Sequence, residues 1–482
     1  PERTAIYWGK TSISYKDLLL HSESVRQELV HEHGIQQGER VALWMKNSPT
    51  FVSVLFGILR AGGVVVPINH FLTADEGGFI IQDSGAKVVY VDEFLLAPAR
   101  CIQEGQSQLQ VLRAGNVTHA TEGMDDAINT TETRLENDLA LIIYTSGTTG
   151  KPKGAMLSHG NLLHNIHSCE YSMQVVEQDR IALLLPMFHS FMIMVGILLP
   201  VKVGASIVLI KSLHSPRKIL QEIKLHQATV MPAIPQLYRA FAKSEIHSLP
   251  LRLCISGAAP LPLEILKRFN SKSNTALIES YGLSEASPVV TLNPVEGPWK
   301  AGSVGLPVHD VTVAVMDTQG NLMKPGMTGE LWVRGGNVMM GYWNRPKATA
   351  ETLQDGWLKT GDMGYADEDG YLYITDRKKD MLLVNGINVY PREIEECMYR
   401  FEGVKEAAVI GCKDERKGEK PVAYVVLEND IACTEKALLD FLKSQLAPYK
   451  IPREVHFLKA LPRNATGKIL KTALRKLLKV NP

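Results

Sequence analysis

The sequence predicts an α/β protein with a large N-terminal domain followed by a small α+β domain. Up to about residue 300, short runs rich in β-branched residues alternate with amphipathic segments, which is typical of stacked, mostly parallel sheets covered by helices. From about 300 to 375, apolar runs are separated by Gly, Asp and Asn turns and predict antiparallel strands in a small β-barrel or sheet. After Asp380 the pattern changes again and predicts a compact α+β unit.

The predicted strands of each part can be named in chain order. In the first part they are "RVALWM" near 40, "GGVVVPI" at 62, "KVVYV" at 87, "LALIIYT" at 139, "ASIVLI" at 205, "ATVMPA" at 228 and "LRLCISG" at 251. In the second they are "VTVAVMD", "GELWVRG" and "GYLYITDR". The third part combines a capped helix in "NVYPREIEECMYRF", strands in "EAAVIGC" and "PVAYVVLE", and a helix from about Glu435.

The charged segment "TDRKKD" separates the last antiparallel strand from the α+β unit, and we place the domain boundary there. The N-terminal domain then covers residues 1–378, with its barrel-like part at about 300–375, and the C-terminal domain covers residues 379–482. A charged boundary suits a hinge, although its composition also fits a solvated turn.

Composition restricts the partners and the compartment. The 52 Lys and Arg residues nearly balance the 51 Asp and Glu residues, so charge gives no reason to expect nucleic acid. The six cysteines form no CxxC pair and the chain shows no secretory signal, so we expect a reduced, cytoplasmic location. The apolar stretch 181–210 is interrupted by two prolines, a histidine and a lysine, which favours buried strands and a helix over a transmembrane span.

The segment "YTSGTTGKPKG", from Tyr144 to Gly154, follows a predicted buried strand and is rich in hydroxyls, glycines and lysines. Backbone N–H groups and cationic side chains in such a loop suit a polyvalent anion such as a phosphate chain. It is not a Walker A motif, because Thr145 stands where the first glycine is needed and Pro152 follows the lysine. No GxGxxG fingerprint follows a strand. The pattern alone is also compatible with a flexible surface turn.

"YTSGTTGKPKGAMLSHGNL" resembles the signature loop of the adenylate-forming superfamily, which contains acyl-CoA synthetases, adenylation domains of peptide synthetases and luciferases. Further matches follow in order: "SGAAPL" at 256, "ESYGLSEASP" at 279, "GELWVRGGNVMMGYWNRP" at 329, "DGWLKTGDMG" at 355, "YITDRKKDMLLVNGINVYPREIEE" at 373 and "LPRNATGKILK" at 461. The resemblance covers practically the whole chain. The motifs of this sequence are most similar to those of fatty-acid and 4-coumarate type CoA ligases.

The resemblance implies two reactions. A carboxylate attacks the α-phosphate of ATP and expels pyrophosphate, and a thiol, that of CoA, then displaces AMP from the acyl-adenylate. Positioning and charge neutralisation would dominate the first step. By resemblance, Thr145 to Lys153 would hold the β- and γ-phosphates, and Thr145 and Glu285 would bind Mg²⁺. The phosphate-binding residues would be Thr145, Ser146, Gly147, Thr148, Thr149, Gly150, Lys151 and Lys153.

The resemblance also implies a nucleoside site. Adenine would lie between the "GAAP" segment and the ring of Tyr281, and Asp362 would accept the ribose hydroxyls with support from Arg377. The segment residues implied here are Gly257, Ala258, Ala259, Glu279, Ser280, Tyr281, Gly282 and Ser284. Most relatives have Thr at Ser284, so we expect the ATP contact to persist with looser packing. Without the family, Tyr281 would be called a core aromatic and Glu285 a helix-start carboxylate.

Lys468, in "RNATGKI", would balance charge that develops on the carboxylate and the α-phosphate. It belongs to the small domain, so the two domains must close on each other for adenylation. By resemblance, the small domain then rotates about Lys379, and Gly386 would let the pantetheine arm of CoA pass close to backbone. His189 matches a histidine near the acyl and α-phosphate site, although a buried, hydrogen-bonded histidine is an equally good interpretation.

Several functions remain open at this stage. The leading one is an ATP-dependent acyl-CoA synthetase for a medium- or long-chain fatty acid, with an aryl acid such as a cinnamate as the rival substrate. Bulky side chains at Phe191, Met192 and Met194 could shorten the acyl tunnel. A fatty acyl-AMP ligase that delivers to an acyl carrier protein and a nucleotide-binding regulator without activity are further alternatives. The chain ends soon after Lys468, which fits a free-standing ligase, and a lipid substrate would allow peripheral contact with a membrane.

Overall fold

The computed structural model describes residues 1–115, 134–145, 152–212, 215–243, 249–414, 418–428, 433–463 and 468–480. The central part of the predicted phosphate loop, from Ser146 to Lys151, lies outside the described residues. So does the segment from Asn464 to Gly467 that precedes Lys468.

The first large sheet has nine strands and is mostly parallel, as the sequence predicts. Its strands are β1 (Thr4–Trp8), β2 (Thr11–Ser14), β9 (Arg180–Leu183), β10 (Ser206–Leu209), β11 (Val230–Ala233), β12 (Leu253–Ser256), β13 (Leu277–Gly282), β14 (Val289–Leu292) and β15 (Leu306–Pro307). They are ordered β15-β14-β13-β12-β11-β9-β10-β1-β2. The strands from β1 through β10, β9, β11 and β12 to β13 run parallel, and the end strands add antiparallel pairs.

The second large sheet has seven strands. They are β3 (Arg40–Trp44), β4 (Val64–Pro67), β5 (Val88–Val91), β6 (Gln110–Arg113), β7 (Leu139–Thr145), β8 (Lys153–Ser158) and β18 (Gly341–Tyr342), in the order β18-β8-β7-β4-β3-β5-β6. One continuous apolar core joins both sheets, with Leu43 and Leu141 from this sheet and Ile181 and Ile255 from the first. Burial on both faces explains why these strands are continuous apolar runs in the sequence.

Helices cover the two sheets. Those of the large domain are α1 (Tyr15–Gln27), α2 (Pro49–Arg60), α3 (Ala74–Ser84), α4 (Leu96–Gly105), α5 (His159–Met173), α6 (Leu199–Val203), α7 (Pro216–Leu225), α8 (Pro235–Phe241), α9 (Leu263–Asn270) and α10 (Pro346–Thr352). Local sequence fixes their starts. At α5, the Ser158 hydroxyl accepts from the Asn161 N–H at 3.1 Å, and the Asn161 amide oxygen accepts from the Ser158 N–H at 2.9 Å.

The predicted antiparallel part is a five-stranded sheet. Its strands are β16 (Val311–Met316), β17 (Gly329–Gly335), β19 (Leu353–Gln354), β20 (Trp357–Ala366) and β21 (Leu372–Arg377). The order is β16-β17-β20-β19, and β21 also pairs with β20. All these pairs are antiparallel. The register of β20 against β21 places Asp362 opposite Arg377.

The C-terminal unit is the expected α+β fold. Its strands are β22 (Leu382–Val384), β23 (Ile387–Val389), β24 (Val404–Asp414), β25 (Gly418–Leu427) and β26 (Glu454–Phe457), and its helices are α11 (Pro391–Tyr399), α12 (Glu435–Gln445) and α13 (Lys471–Val480). The helix expected in "NVYPREIEECMYRF" is present as α11, and Tyr390 at its N-cap position makes no side-chain capping hydrogen bond. Instead Pro391 removes one unpaired N–H, and Asp376 accepts from the N–H of Arg392 at 3.0 Å.

The long apolar stretch 181–210 forms buried strands and helix, as expected. Strand β9 is followed by a π-helical segment, Met192–Leu198, which continues into α6 before strand β10. The π-helical turn was not predicted, since apolar periodicity does not distinguish it from an α-helix. Among the residues described, we find no helix that combines the length and the apolar character needed to cross a membrane.

Candidate active site

Two of the predicted motifs lie at the same edge of the nine-stranded sheet. The "GAAP" segment follows β12, "YGLSE" begins with the last two residues of β13, and these strands are parallel neighbours. Parallel strands end at one edge, where open α/β sheets bind ligands. Gly257 lies at the end of β12, where an added Cβ would stand 3.2 Å from the ring of Phe191. Ala258 adopts a left-handed backbone with φ 65°, which turns the chain sharply at this edge.

The phosphate loop is carried by a β-hairpin. Thr145 at the end of β7 pairs with Lys153 at the start of β8, so the loop between them leaves and re-enters the sheet edge at one point. The Lys153 ammonium lies 5.1 Å from the ring centroid of Tyr342. The predicted loop residues Ser146, Gly147, Thr148, Thr149, Gly150 and Lys151 lie outside the described residues.

Glu285 and Lys153 both contact Tyr342, which brings Glu285 to the base of the phosphate hairpin. The Tyr342 hydroxyl donates to Oε1 of Glu285 at 2.9 Å. Among the described residues this is the only side-chain hydrogen bond that the half-buried carboxylate accepts, so Oε2 is left for another partner. Burial and the negative charge of Glu285 raise the pKa of Tyr342, which keeps the hydroxyl protonated as a donor. A carboxylate oxygen directed to the phosphate corner fits a hard cation such as Mg²⁺.

Tyr281, Asp362 and Arg377 form a connected group. The Tyr281 hydroxyl donates to Oδ2 of Asp362 at 2.7 Å, and Nε of Arg377 lies 3.3 Å from Oδ1. Burial, with Asp362 adding to it, raises the pKa of Tyr281 well above its usual range. The carboxylate is therefore held by one neutral donor and one cation at the base of the predicted ribose site. The Asp362–Arg377 pairing was predicted by resemblance only, and the register of β20 and β21 is its structural cause.

Two other predicted residues of β13, Ser280 and Gly282, are engaged within the sheet itself. The Ser280 hydroxyl donates to the carbonyl oxygen of Thr291 at 2.9 Å, so it is engaged within the sheet. Gly282 has no space for a side chain, because an added Cβ would lie 2.0 Å from the carbonyl oxygen of Pro288. Any contact of these two residues with a nucleotide would therefore come from the backbone.

Glu279 is buried below the "GAAP" segment. Its Oε1 accepts from the N–H of Leu261 at 3.0 Å and lies 4.0 Å from the Arg392 guanidinium of the C-terminal unit. Burial raises the pKa of Glu279 to about 7, although Arg392 acts in the opposite direction. The carboxylate of Glu279, which the resemblance assigns to the nucleoside site, thus contacts the backbone next to the "GAAP" segment and faces the other domain.

His189 and Lys468 come together from different domains. Burial lowers the pKa of His189 to about 4, and the charge of Lys468 adds to this, so the imidazole is neutral at pH 7. Burial also lowers the pKa of Lys468, to about 8, with Arg377 adding to the shift and Asp362 opposing it. Lys468 of the small domain is therefore within electrostatic range of His189, Asp362 and Arg377 of the large domain.

The two remaining predicted residues are Lys379 and Gly386, and Lys379 borders this group, because its charge adds to the lowering of the Lys468 pKa. Lys379 follows β21 in the segment that joins the domains, next to Lys378, whose ammonium binds Glu330 at 2.9 Å. Gly386 is in the exposed turn between β22 and β23 with φ 77°. No atom lies within 4 Å of a Cβ added there, so its backbone conformation, and not crowding, explains the glycine in this arrangement.

The sequence analysis missed three residues of the site. Tyr342 lies in the quoted motif "MMGYWNRP" but had no assigned role. Ser190 is buried next to His189, and its hydroxyl lies 2.9 Å from the hydroxyl of Ser284. Arg392, in "YPREIEE", links the domains. Its guanidinium donates to the carbonyl oxygen of Ile374 at 2.8 Å and faces Glu279.

The AMP-binding enzyme family model matches residues 1–343, and the model of the AMP-binding enzyme C-terminal domain matches residues 393–468. The chain belongs to the AMP-binding enzyme family. Among curated relatives of this AMP-binding enzyme, a long-chain-fatty-acid–CoA ligase of Bacillus subtilis is 34% identical over 98% of this chain and 91% of the relative. A feruloyl-CoA synthase of an Amycolatopsis species is 35% identical over 99% and 96%.

Solved structures extend the comparison. ATP-bound MatB from Rhodopseudomonas palustris matches this AMP-binding enzyme with a TM-score of 0.92 at 33% identity, over 99% of this chain and 96% of that one. The apo form of the same protein covers the same shares with a TM-score of 0.81. The o-succinylbenzoate CoA synthetase of Bacillus subtilis in complex with ATP and magnesium gives 0.87 at 30% identity, over 98% and 97%. The overall arrangement of this AMP-binding enzyme is thus more similar to the ATP-bound MatB structure than to the apo one.

Proposed function

We propose that this enzyme activates a fatty carboxylic acid with ATP to an acyl-AMP, releasing pyrophosphate, and transfers the acyl group to the thiol of CoA. The observation that carries the proposal is the position of Lys468. A lysine of the small domain lies among His189, Asp362 and Arg377 of the large one. A half-buried lysine near charged groups of another domain suits a reaction that develops negative charge between the domains.

In the adenylation step, the chain positions the reactants and neutralises charge. With a pKa of about 8, Lys468 is mainly cationic at pH 7 and can stabilise the charge that grows as the carboxylate oxygen approaches the α-phosphate. His189, neutral because of its burial, can donate or accept a hydrogen bond there without adding charge. Lys153, at the base of the phosphate hairpin, would draw charge toward the leaving pyrophosphate.

The nucleoside would be held by the hydrogen-bonded group of Tyr281, Asp362 and Arg377. Because Tyr281 donates to Asp362, its ring is fixed in orientation and offers one face to adenine. The Asp362 carboxylate keeps acceptor capacity for ribose hydroxyls after its contacts with Tyr281 and Arg377, since a carboxylate can accept about four hydrogen bonds.

The residues at the phosphate corner fit a magnesium ion. Glu285 offers Oε2 and Thr145 its hydroxyl, and both are oxygen donors of the kind that Mg²⁺ prefers. When bound, Mg²⁺ would neutralise phosphate charge and help the pyrophosphate to leave. The protein itself orients the metal-binding carboxylate. Tyr342 holds Oε1 of Glu285 and thereby sets the direction of Oε2.

For the thioester step, we propose that the C-terminal domain rotates about Lys379 and presents the β22–β23 hairpin. In the present arrangement this hairpin is exposed, and two apolar side chains on it, Leu383 and Ile387, are 49% and 45% accessible. A surface of this kind is suited to a second docked position. Gly386 at its tip would let the pantetheine arm pass close to the backbone.

A fatty acid is the leading substrate because curated long-chain-fatty-acid–CoA ligases match nearly the full chain. Feruloyl-CoA synthases match equally well and keep an aryl acid as the second candidate. Phe191, Met192 and Met194 are all buried beside the predicted acid site, which favours an apolar acyl group and limits its length.

The test is pyrophosphate release with ATP and Mg²⁺ for acids from acetate to palmitate, plus coumarate and ferulate, each with and without CoA. Turnover that requires both a fatty acid and CoA is the expected result, and the best acid gives the chain length. Turnover only with the aryl acids would replace the substrate class. A single burst without CoA stimulation would contradict the CoA step, and no release for any acid would overturn the enzymatic proposal.

A further inference from the structure

A cluster of histidine and carboxylate side chains lies on the surface of the large domain and shares no residue with the site described above. Its members are His167, His309 and Asp310, and one potential ligand atom from each lies within 4.8 Å of the others. His167 and Asp310 are exposed, and His309 is half-buried. The cluster joins helix α5 to the turn that precedes β16.

The turn is attached to the helix by contacts of its own. The ring of Tyr171, one helical turn after His167, stacks on His309 with centroids 4.2 Å apart. The Ser172 hydroxyl accepts from the N–H of His309 at 3.1 Å. Asp310 adopts a left-handed backbone with φ 57°, which turns the next residues into β16. These contacts hold His309 and Asp310 beside α5 without any bound ion. An ion that binds here would therefore have to order few further side-chain torsions.

The donor set selects the kind of ion. Two imidazoles and one carboxylate suit Zn²⁺ and its neighbours in the transition series, whereas Mg²⁺ prefers oxygen donors only. Ligands bound to zinc at about 2.0–2.1 Å lie about 3.4 Å apart in a tetrahedron, so exposed side chains at up to 4.8 Å need only small rotations. His164 lies one turn before His167 on the same helix, and within the described part of the chain its buried Nδ1 has no hydrogen-bond partner.

Charge also favours a cation here. In the described part of the chain, Asp310 has no lysine or arginine within ion-pair distance, and its ionic contact is His309, with Nε2 and Oδ2 3.4 Å apart. Neutral imidazoles would leave this carboxylate uncompensated at the surface. A divalent ion would supply the missing charge and would replace the weak His309–Asp310 contact by two coordinate bonds.

We propose that His167, His309 and Asp310 bind one divalent transition-metal ion, with Zn²⁺ preferred among the common ones, and that His164 is available as a fourth ligand. The ion would connect α5, which directly follows strand β8 of the phosphate hairpin, to strand β16 of the antiparallel sheet. Its effect is therefore on the stability of the large domain, and no step of the proposed reaction passes through it.

The experiment titrates ZnCl₂ by calorimetry into the full chain without an affinity tag, after treatment with a chelator and in excess MgCl₂. We expect one site per chain with a micromolar or tighter Kd. The double variant His167→Ala/His309→Ala should bind at least about tenfold more weakly, since even outer partners of metal ligands contribute about 10–100-fold. His31→Ala, which removes an exposed histidine elsewhere, should bind like the parent chain.

Thermal unfolding supplies a second measurement. Zinc at about 100 times its Kd should raise the Tm of the parent chain and of His31→Ala by about 5 °C, and that of the double variant by much less. Equal affinity of the double variant and the parent would overturn the proposal, as would a parent Kd weaker than about 100 μM. Circular dichroism of the double variant without zinc shows whether it is folded. If it is not, Asp310→Asn, which tolerates the left-handed backbone, replaces it with the same expected loss.

Discussion

The two domains contribute to the site in different ways. In the large domain, Tyr281 and Asp362, and Tyr342 and Glu285, are joined by hydrogen bonds of 2.7 and 2.9 Å. The small domain contributes Lys468 and docks through polar contacts of mixed length. Arg392 donates to the carbonyl oxygen of Ile374 at 2.8 Å and lies 4.0 Å from Glu279, and Lys243 reaches the Glu428 carboxylate at 3.0 Å across a partly exposed surface. The large domain is therefore organised before a nucleotide binds, whereas the contacts of the small domain are ones that a rotation would have to break.

This difference has a physical reason. A group that binds the adenosine part of ATP in one half-reaction and of the acyl-adenylate in the other gains from a fixed geometry, because orientation is set before the reactants arrive. A domain that must present two faces in turn cannot be joined by strong, fully buried contacts, since each would have to be broken in every cycle.

Lys468→Ala should have the largest effect and should affect only one half-reaction. Loss of a cation aimed at developing charge lowers a rate by about 10²–10³-fold, so acid-dependent pyrophosphate release should fall by that factor. Transfer of a supplied acyl-adenylate to CoA should change little, because the small domain then presents another face. The two half-reactions are measured separately by pyrophosphate release and by acyl-CoA formation.

Lys459→Ala, which removes an exposed lysine of the same domain, is the matched control and should keep both rates. The pH profile provides a further check. Because the pKa of Lys468 is about 8, the cation is lost as pH rises through 8, and adenylation should decline there while thioester formation does not. Equal loss of both half-reactions in Lys468→Ala would contradict the division of labour between the domains.

Much of this organisation could be predicted from sequence, and the missing parts have a common cause. The predictions of strands β7 and β12 are confirmed, because buried strands are continuous apolar runs followed by glycine-rich turns, whereas β13 has no counterpart among the predicted strands. The motif residues were placed by resemblance. Contacts between distant segments, such as Ser190 with Ser284 or Arg392 with Glu279, leave no local pattern, since each residue alone is an ordinary serine, arginine or glutamate. They are determined by tertiary packing.

Tyr281→Phe should weaken the nucleotide site of the large domain without removing the aromatic ring. The variant keeps the stacking face but loses the hydroxyl that orients Asp362. A hydrogen bond to a charged group contributes about 1.5–3 kcal/mol, so the KM for ATP should rise at least about tenfold, with a smaller change in kcat. Tyr371→Phe is the control, because its hydroxyl donates to the carbonyl oxygen of Pro298 at 2.6 Å, outside the site. An unchanged KM for ATP in Tyr281→Phe would show that Asp362 does not need this support.

Glu279→Gln tests the contact between the domains by its pH dependence. Burial raises the pKa of Glu279 from 4.5 to about 7, so the folded state holds a proton that the unfolded chain releases between these values. The contribution of Glu279 to stability is present below pH 4.5 and is lost as pH rises toward 7. The glutamine variant lacks this loss and should gain stability relative to the parent as pH rises from 5 to 8, as followed by urea unfolding. Glu264→Gln, in an ion pair that is largely exposed, should give no such trend.

Ser190→Ala should have the smallest effect. It tests whether the hydrogen-bonded organisation of the large domain extends to the acid site. Its hydroxyl lies 2.9 Å from that of Ser284, in the segment that would contact the α-phosphate. A neutral hydrogen bond contributes about 0.5–1.5 kcal/mol, so adenylation should slow by about 2–10-fold while thioester formation is retained. Ser206→Ala removes a buried hydroxyl that donates to the carbonyl oxygen of Thr4 at 2.7 Å, and it should lower stability without changing either rate. If both variants leave adenylation unchanged, the hydrogen-bonded organisation of the large domain ends at Ser284. The acid is then positioned by His189 and the apolar side chains near it.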